Sequence, residues 1–147
     1  MRLELPPTAN HDAWNELADK VSVGLVGQLG IVFDLIAAGE VTGHIDATAA
    51  TLQPFGIMHG GAFACLAETL VSVGGLVLVD FPKQHVVGQQ VSLSLVRPGP
   101  AGIRVIGRAS CEHSGRTSQV WNVQMETEGP NAKTLAVARV TVAVVTA

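Results

Sequence analysis

Tyrosine is absent from this 147-residue chain, aromatic residues make up 4% of it, and charged residues only 14%. A surface so thinly supplied with charge, on a chain that is 48% hydrophobic, implies that some apolar area is hidden against another subunit. The formal charge of −3 leaves no electrostatic footprint for nucleic acid or an anionic membrane. Lysine and arginine are missing altogether between Lys20 and Lys83, and seven of the nine basic residues follow that gap. Such asymmetry suits a compact anionic group held by the C-terminal half, although exposed strand faces also collect arginines. The two cysteines, Cys65 and Cys111, form no CxxC or other ligand spacing, so no metal site is expected. The first fourteen residues contain no apolar stretch of the secretory kind, and the expected compartment is the cytoplasm. No repeat, low-complexity segment or linker interrupts the chain, so residues 1–147 read as one domain.

What is present is ordered by period. Residues 10–28 read as a short N-terminal helical extension, capped by Asn10 or Asp12, with Trp14, Leu17, Ala18 and Val21 at helical spacing. Residues 31–36 and 40–47 read as two strands about Ala38-Gly39. A loop fixed by Pro54 and Gly56 leads to a helix over 60–79 that is apolar on nearly every face and therefore buried all round. Glu68, Ser72 and the pair Gly74-Gly75 argue against a membrane span. From residue 84 the period is two, giving four strands separated by turns at 98–102, 113–116 and 128–131, and these read as an antiparallel meander. The implied class is α+β, an antiparallel sheet wrapped around one long central helix.

Glu68 is the anomaly of that helix. Apart from Asp46 it is the sole Asp, Glu, Lys or Arg between Val41 and Val79. A carboxylate there must be paired, protonated or facing a cleft, a setting suited to base or nucleophile work. Ahead of it stands His59-Gly60-Gly61. The amides of Gly60 and Gly61 are unpaired donors of the first turn and suit a thioester carbonyl or a developing oxyanion. Ser72, four residues beyond Glu68, lies on the same face and can hydrogen-bond to the carboxylate.

The stretch Gln53-Pro54-Phe55-Gly56-Ile57-Met58-His59-Gly60-Gly61, continuing through Glu68 and Ser72, resembles the signature of hotdog-fold thioesterases of the Arthrobacter-type 4-hydroxybenzoyl-CoA class. That class includes the dihydroxynaphthoyl-CoA branch and is close to the phenylacetate-pathway thioesterases. Val86-Val87-Gly88, Arg97-Pro98, Gly115-Arg116-Thr117 and Val120-Trp121 continue the likeness over most of the chain. The resemblance implies a hotdog fold and hydrolysis of an acyl-CoA, with an aromatic acyl group favoured. It implies Glu68 as the carboxylate that attacks the thioester or activates water. Gly60 would polarise the carbonyl with Gln53 and His59 assisting, and Ser72 would orient the water or intermediate. Gly61, Phe55 and Met58 are expected at the substrate, and Phe55, Phe63, Met58 and Leu70 could equally line a pocket for a medium aliphatic chain. Arg97, His113, Ser114, Gly115, Arg116 and Arg139 are the candidates for coenzyme A. No cofactor is implied, coenzyme A being part of the substrate. The expected assembly is a homotetramer, a dimer of dimers whose active sites lie between subunits. Leu95-Val96 stand where relatives often carry a histidine before the Arg-Pro pair, which points to a different acyl group. Two rival readings share the fold, a hydratase or dehydratase built on His59 and Glu68, and a non-catalytic acyl-CoA binding protein.

Overall fold

The computed structural model describes residues 1–21 and 23–146. In chain order the elements are β1 (Arg2–Leu3), α1 (His11–Val21), α2 (Leu25–Leu29), β2 (Val32–Ala37), β3 (Glu40–Asp46), α3 (Gly60–Val77), β4 (Gln84–Leu95), β5 (Arg104–Ser114), β6 (Ser118–Thr127) and β7 (Thr134–Thr146). The helix expected over 10–28 is two pieces. Asn10 caps the first, its Oδ1 accepting from the Ala13 N–H at 3.1 Å. The first ends at Val21 and the second begins only at Leu25, after Gly24 at φ 70°; Ser22 lies outside the described residues. Trp14 docks α1, its ring 5.3 Å from that of Phe81.

One seven-stranded sheet holds the strands in the order β1-β2-β3-β5-β6-β7-β4. Neighbours are antiparallel except for the short β1–β2 pair, which the alternation pattern does not announce. The four-strand meander is corrected. β5, β6 and β7 form one, but β4 pairs with β7 along the far edge rather than with β5. Periodicity identifies strands without naming their neighbours. The segment 96–103 is a crossover, not a hairpin turn. It is tied to the start of α3 by Met58 N–H donating to the Gly99 carbonyl at 2.7 Å and to β7 by the Leu135 carbonyl.

α3 is long and apolar enough to cross a membrane, yet 67% of its residues are buried inside the protein, which is where its apolar faces go. The sheet comes close because glycines face it. Gly43 and Gly107 are register partners on β3 and β5. A Cβ on either would stand within 2.8 Å of a Leu70 methyl group, so Leu70, fully buried, seats in the hollow they make. At the helix end the buried Gln119 donates Nε2–H to the Gly75 carbonyl at 3.1 Å and accepts from the Trp121 indole at 3.1 Å. These contacts set the height and rotation of α3, and hence the direction in which Glu68 points.

Gly107→Ala is expected to cost about 1–3 kcal/mol, the usual range for overpacking a filled core. Because the intruding methyl meets Leu70, adding Leu70→Ala should make the two losses less than additive by urea denaturation. Full additivity would show that the hollow does not seat the helix.

Candidate active site

The loop before α3 is pinned by its own backbone. Gln53 N–H donates to the Ile57 carbonyl at 2.8 Å, Gly56 N–H to the Gln53 carbonyl at 2.9 Å, and His59 N–H to the Thr51 carbonyl at 2.8 Å. Gly56 sits at φ 78°, a conformation that glycine adopts without strain. The Gln53 Oε1 accepts from the Phe55 N–H at 3.2 Å. This leaves the Gln53 amide NH₂ with no acceptor among the described residues, and the Phe55 ring 88% exposed.

His59 is the N-cap of α3. Its Nδ1 accepts from the Gly61 N–H at 2.8 Å. Two consequences follow. Of the two amides expected to be open, Gly61's is taken, and the Gly60 N–H alone has no acceptor among the described residues. An accepting Nδ1 also places the proton of a neutral ring on Nε2, so His59 offers a donor outward.

Glu68 lies on the half-buried strip of α3 that also carries Ala64, Cys65 and Ser72 and faces β4. The Ser72 hydroxyl donates to Glu68 Oε1 at 2.5 Å, whereas Oε2 has no hydrogen-bond partner among the described residues. One oxygen is held and the other is open. Burial, with the Glu68 charge as the smaller cause, pushes the Cys65 thiol up, so it sits beside the site as a protonated thiol. Eight residues of helix rise about 12 Å, so Gly60 and Glu68 of one chain cannot reach the two ends of one carbonyl group.

The remaining expected residues are dispersed. Met58 is buried, and with Ile57, Phe63, Leu95, Val96 and Arg97 it walls a cavity of about 270 Å³ beside the start of α3. Leu70 does not line it but belongs to the core, in the Gly43–Gly107 hollow. Arg97 donates to the Thr134 carbonyl at 2.8 Å. His113, Ser114 and Arg116 stand exposed at the β5–β6 turn, which Gly115 N–H closes onto the Ser118 carbonyl at 2.9 Å. Arg139, exposed on β7, lies four residues before Ala143, the register partner of Ser118. That is a separation of about 13 Å, so turn and arginine form no single cluster. Among the basic residues after the gap, Arg104 is committed to Asp46, whose carboxyl its guanidinium holds below the usual range, and Lys83 to Asp80. Arg108, Arg116, Lys133 and Arg139 have no ion-pair partner among the described residues. Gly88 of β4 is the neighbour that sequence reasoning did not single out for the site. A Cβ there would stand 2.9 Å from Glu68 Oε1. The available signal was a lone glycine inside a strand pattern.

Comparison with known proteins adds a family context. A model of the Thioesterase superfamily matches residues 55–134, more than half of the chain. The proofreading thioesterase EntH of Klebsiella pneumoniae is 39% identical over 99 residues, covering 67% of this chain and 71% of that protein. The 1,4-dihydroxy-2-naphthoyl-CoA thioesterase 2 of Arabidopsis thaliana is 36% identical over 109 residues, covering 71% and 68%. Among solved structures, a thioesterase from Haemophilus influenzae superposes with a TM-score of 0.81 at 31% identity over 90% of each chain. The architecture described above is thus the hotdog fold that the sequence led us to expect.

His59→Ala removes the cap and should lower stability by about 1 kcal/mol, while His59→Asn, a strong capping residue, should recover it. Thermal melts of the three proteins check this. Equal melting of wild type and His59→Ala would dismiss the cap.

Proposed function

The chain belongs to the thioesterase superfamily and is a thioester hydrolase; from that premise we propose that it cleaves an aromatic acyl-CoA to the free acid and coenzyme A. The observation that carries the reading is the state of Glu68: a carboxylate on an apolar helix, tethered by Ser72 through one oxygen and open at the other. The Gly60 N–H, at the positive end of α3, polarises the thioester carbonyl and stabilises the oxyanion. Glu68 Oε2 attacks the carbonyl carbon or takes a proton from the water that does. The tetrahedral intermediate collapses and the C–S bond breaks. On the water route the thiolate takes back the proton that Glu68 removed, and the free acid forms directly. On the nucleophilic route the thiolate takes a proton from solvent, and water then hydrolyses the Glu68 acyl anhydride to the free acid. Gln53 and the His59 Nε2–H stand at the same helix start as further donors.

Because one helix separates Gly60 from Glu68 by about 12 Å, the working pair comes from two protomers. Gly60, His59 and Gln53 of one face Glu68 and Ser72 of another. Two features support such an assembly. Edge strand β4 exposes Val87 (45%), Val91 (38%) and Leu95 (54%) beside an unpaired backbone edge, and Phe55 projects from the Gln53 loop. We read the whole as a homotetramer of two such dimers. The cavity walled by Met58 and Phe63 takes one arm of the thioester. Arg97 on its rim, the His113–Arg116 turn and Arg139 supply donors to the coenzyme A phosphates. The aromatic acyl group is supported by a relative that acts on 1,4-dihydroxy-2-naphthoyl-CoA.

Free-thiol release from benzoyl-, 4-hydroxybenzoyl-, 1,4-dihydroxy-2-naphthoyl-, phenylacetyl-, hexanoyl- and palmitoyl-CoA tests the proposal. Aromatic thioesters should be preferred, and Glu68→Gln should lower kcat by about 10² or more, the scale of a lost acid–base group. Undiminished turnover by Glu68→Gln would remove the carboxylate from the reaction. A preference for palmitoyl-CoA would overturn the aromatic assignment.

A further inference from the structure

Strand β4 changes face part-way along. Val86 and Gly88 pair with Val144 and Val142 of β7, whose side chains point inward, so even-numbered residues face the helix at first. Between Gly88 and Gln90 the register shifts by one residue, and Gln89 is the extra residue of a β-bulge. Beyond it Val91, Leu93 and Leu95 pair with Val140, Ala138 and Ala136, and odd-numbered residues take the helix side of the sheet, Leu93 half-buried while Val91 and Leu95 stay open at the edge. Without the bulge Gln90, Ser92 and Ser94 would turn toward the helix and the apolar residues away from it. The last inward position before the switch is Gly88.

Gly88 does not adopt a positive φ, so its backbone does not demand glycine. Its surroundings do. A Cβ on Gly88 would stand 2.9 Å from Glu68 Oε1 and 3.6 Å from both Cδ and Cγ, with no other atom nearer than these. Oε1 is the oxygen that accepts from Ser72 Oγ at 2.5 Å. It is therefore enclosed on one side by a hydroxyl of its own helix and on the other by bare strand backbone, while Oε2 is left open.

We propose that Gly88 is a positioning residue for thioester hydrolysis: by lacking a side chain at the bulge, it lets the Glu68 carboxylate settle with Oε1 against Ser72 and β4 and with Oε2 toward the substrate. The inference rests on the assignment of Glu68 to the reaction. A methyl group on Gly88 meets only the flexible tip of Glu68, so the strand survives the substitution and the carboxylate moves. Movement breaks the Ser72 bond and rotates Oε2 away from the carbonyl carbon.

The test is a double-mutant cycle on the oligomeric enzyme, with kcat and KM measured on an acyl-CoA that the wild type hydrolyses. Gly88→Ala should keep its fold, lower kcat about 10²-fold, the scale of a displacement near 1 Å, and leave KM within about threefold. On a Glu68→Gln background Gly88→Ala should change kcat less than about twofold, because the residue acts through the carboxylate. A Gly88→Ala enzyme within about threefold of wild-type kcat overturns the proposal while the Glu68 assignment stands. So does an equal loss on both backgrounds, the mark of a structural defect. Glu68→Gln at wild-type kcat overturns both. Should Gly88→Ala melt early, Glu68→Asp in the same chain draws the carboxylate off the new methyl and should restore the melting temperature. An unrelieved melt would place the clash elsewhere and refute the proposal.

Discussion

A helix that is apolar on every face has to be covered on every face, and α3 meets that demand with one curved sheet and one unfinished side. The sheet covers the faces bearing Phe63, Leu66, Leu70 and Val71, all 1% exposed or less. Along the strip of Ala64, Cys65, Glu68 and Ser72, cover is incomplete within one protomer. That strip carries the one Asp or Glu of the helix. Burial of the rest of α3 and exposure of this line are the same fact: the element that holds the fold together presents its charge where the fold leaves a gap.

Close approach of backbone rather than side-chain bulk positions that charge. Gly43 and Gly107 take Leu70 between two strands. Gly74 admits Val41 and Trp121, and Gly75 lies against Gln119 and Val86. Each glycine lowers the sheet onto the helix by the depth of a side chain, so the carboxylate of Glu68 reaches β4 without a long lever arm. A site built on such contacts is stiff, since interdigitated cores tolerate little displacement. Stiffness would suit the proposed mechanism, in which one oxygen of the carboxylate is held and the other is open.

The parts of this arrangement that sequence made legible are those with a local physical cause. An all-apolar period locates α3, alternation locates β2 through β7, and Glu68 stands out because charge is costly there. Partnership across distance was not legible. Nothing in the alternation of β4 says that it pairs with β7 instead of β5, because both are strands of the same kind. The bulge at Gln89 leaves no trace except a glycine and a pair of glutamines. The capping of Gly61 by His59 was also out of reach, since a histidine next to two glycines is compatible with a donor, an acceptor or neither. The split of the N-terminal helix was half visible, for Gly24 interrupts a pattern that otherwise runs on.

The proposed division of the active site between two protomers has a physical logic of its own. A helix N-terminus offers its strongest donor at the end of the helix, whereas a carboxylate is placed most firmly in the middle, where two turns and a strand can grip it. One helix cannot bring both to one carbonyl group, because the rise that separates them is fixed at about 1.5 Å per residue. Two copies related by a twofold axis would resolve the conflict, with the start of one helix against the middle of the other. The same contact would cover Val91, Leu95 and Phe55, which the single protomer leaves in water. Assembly and catalysis would then draw on one surface, and loss of the dimer would separate the donor from the carboxylate while each kept its local geometry.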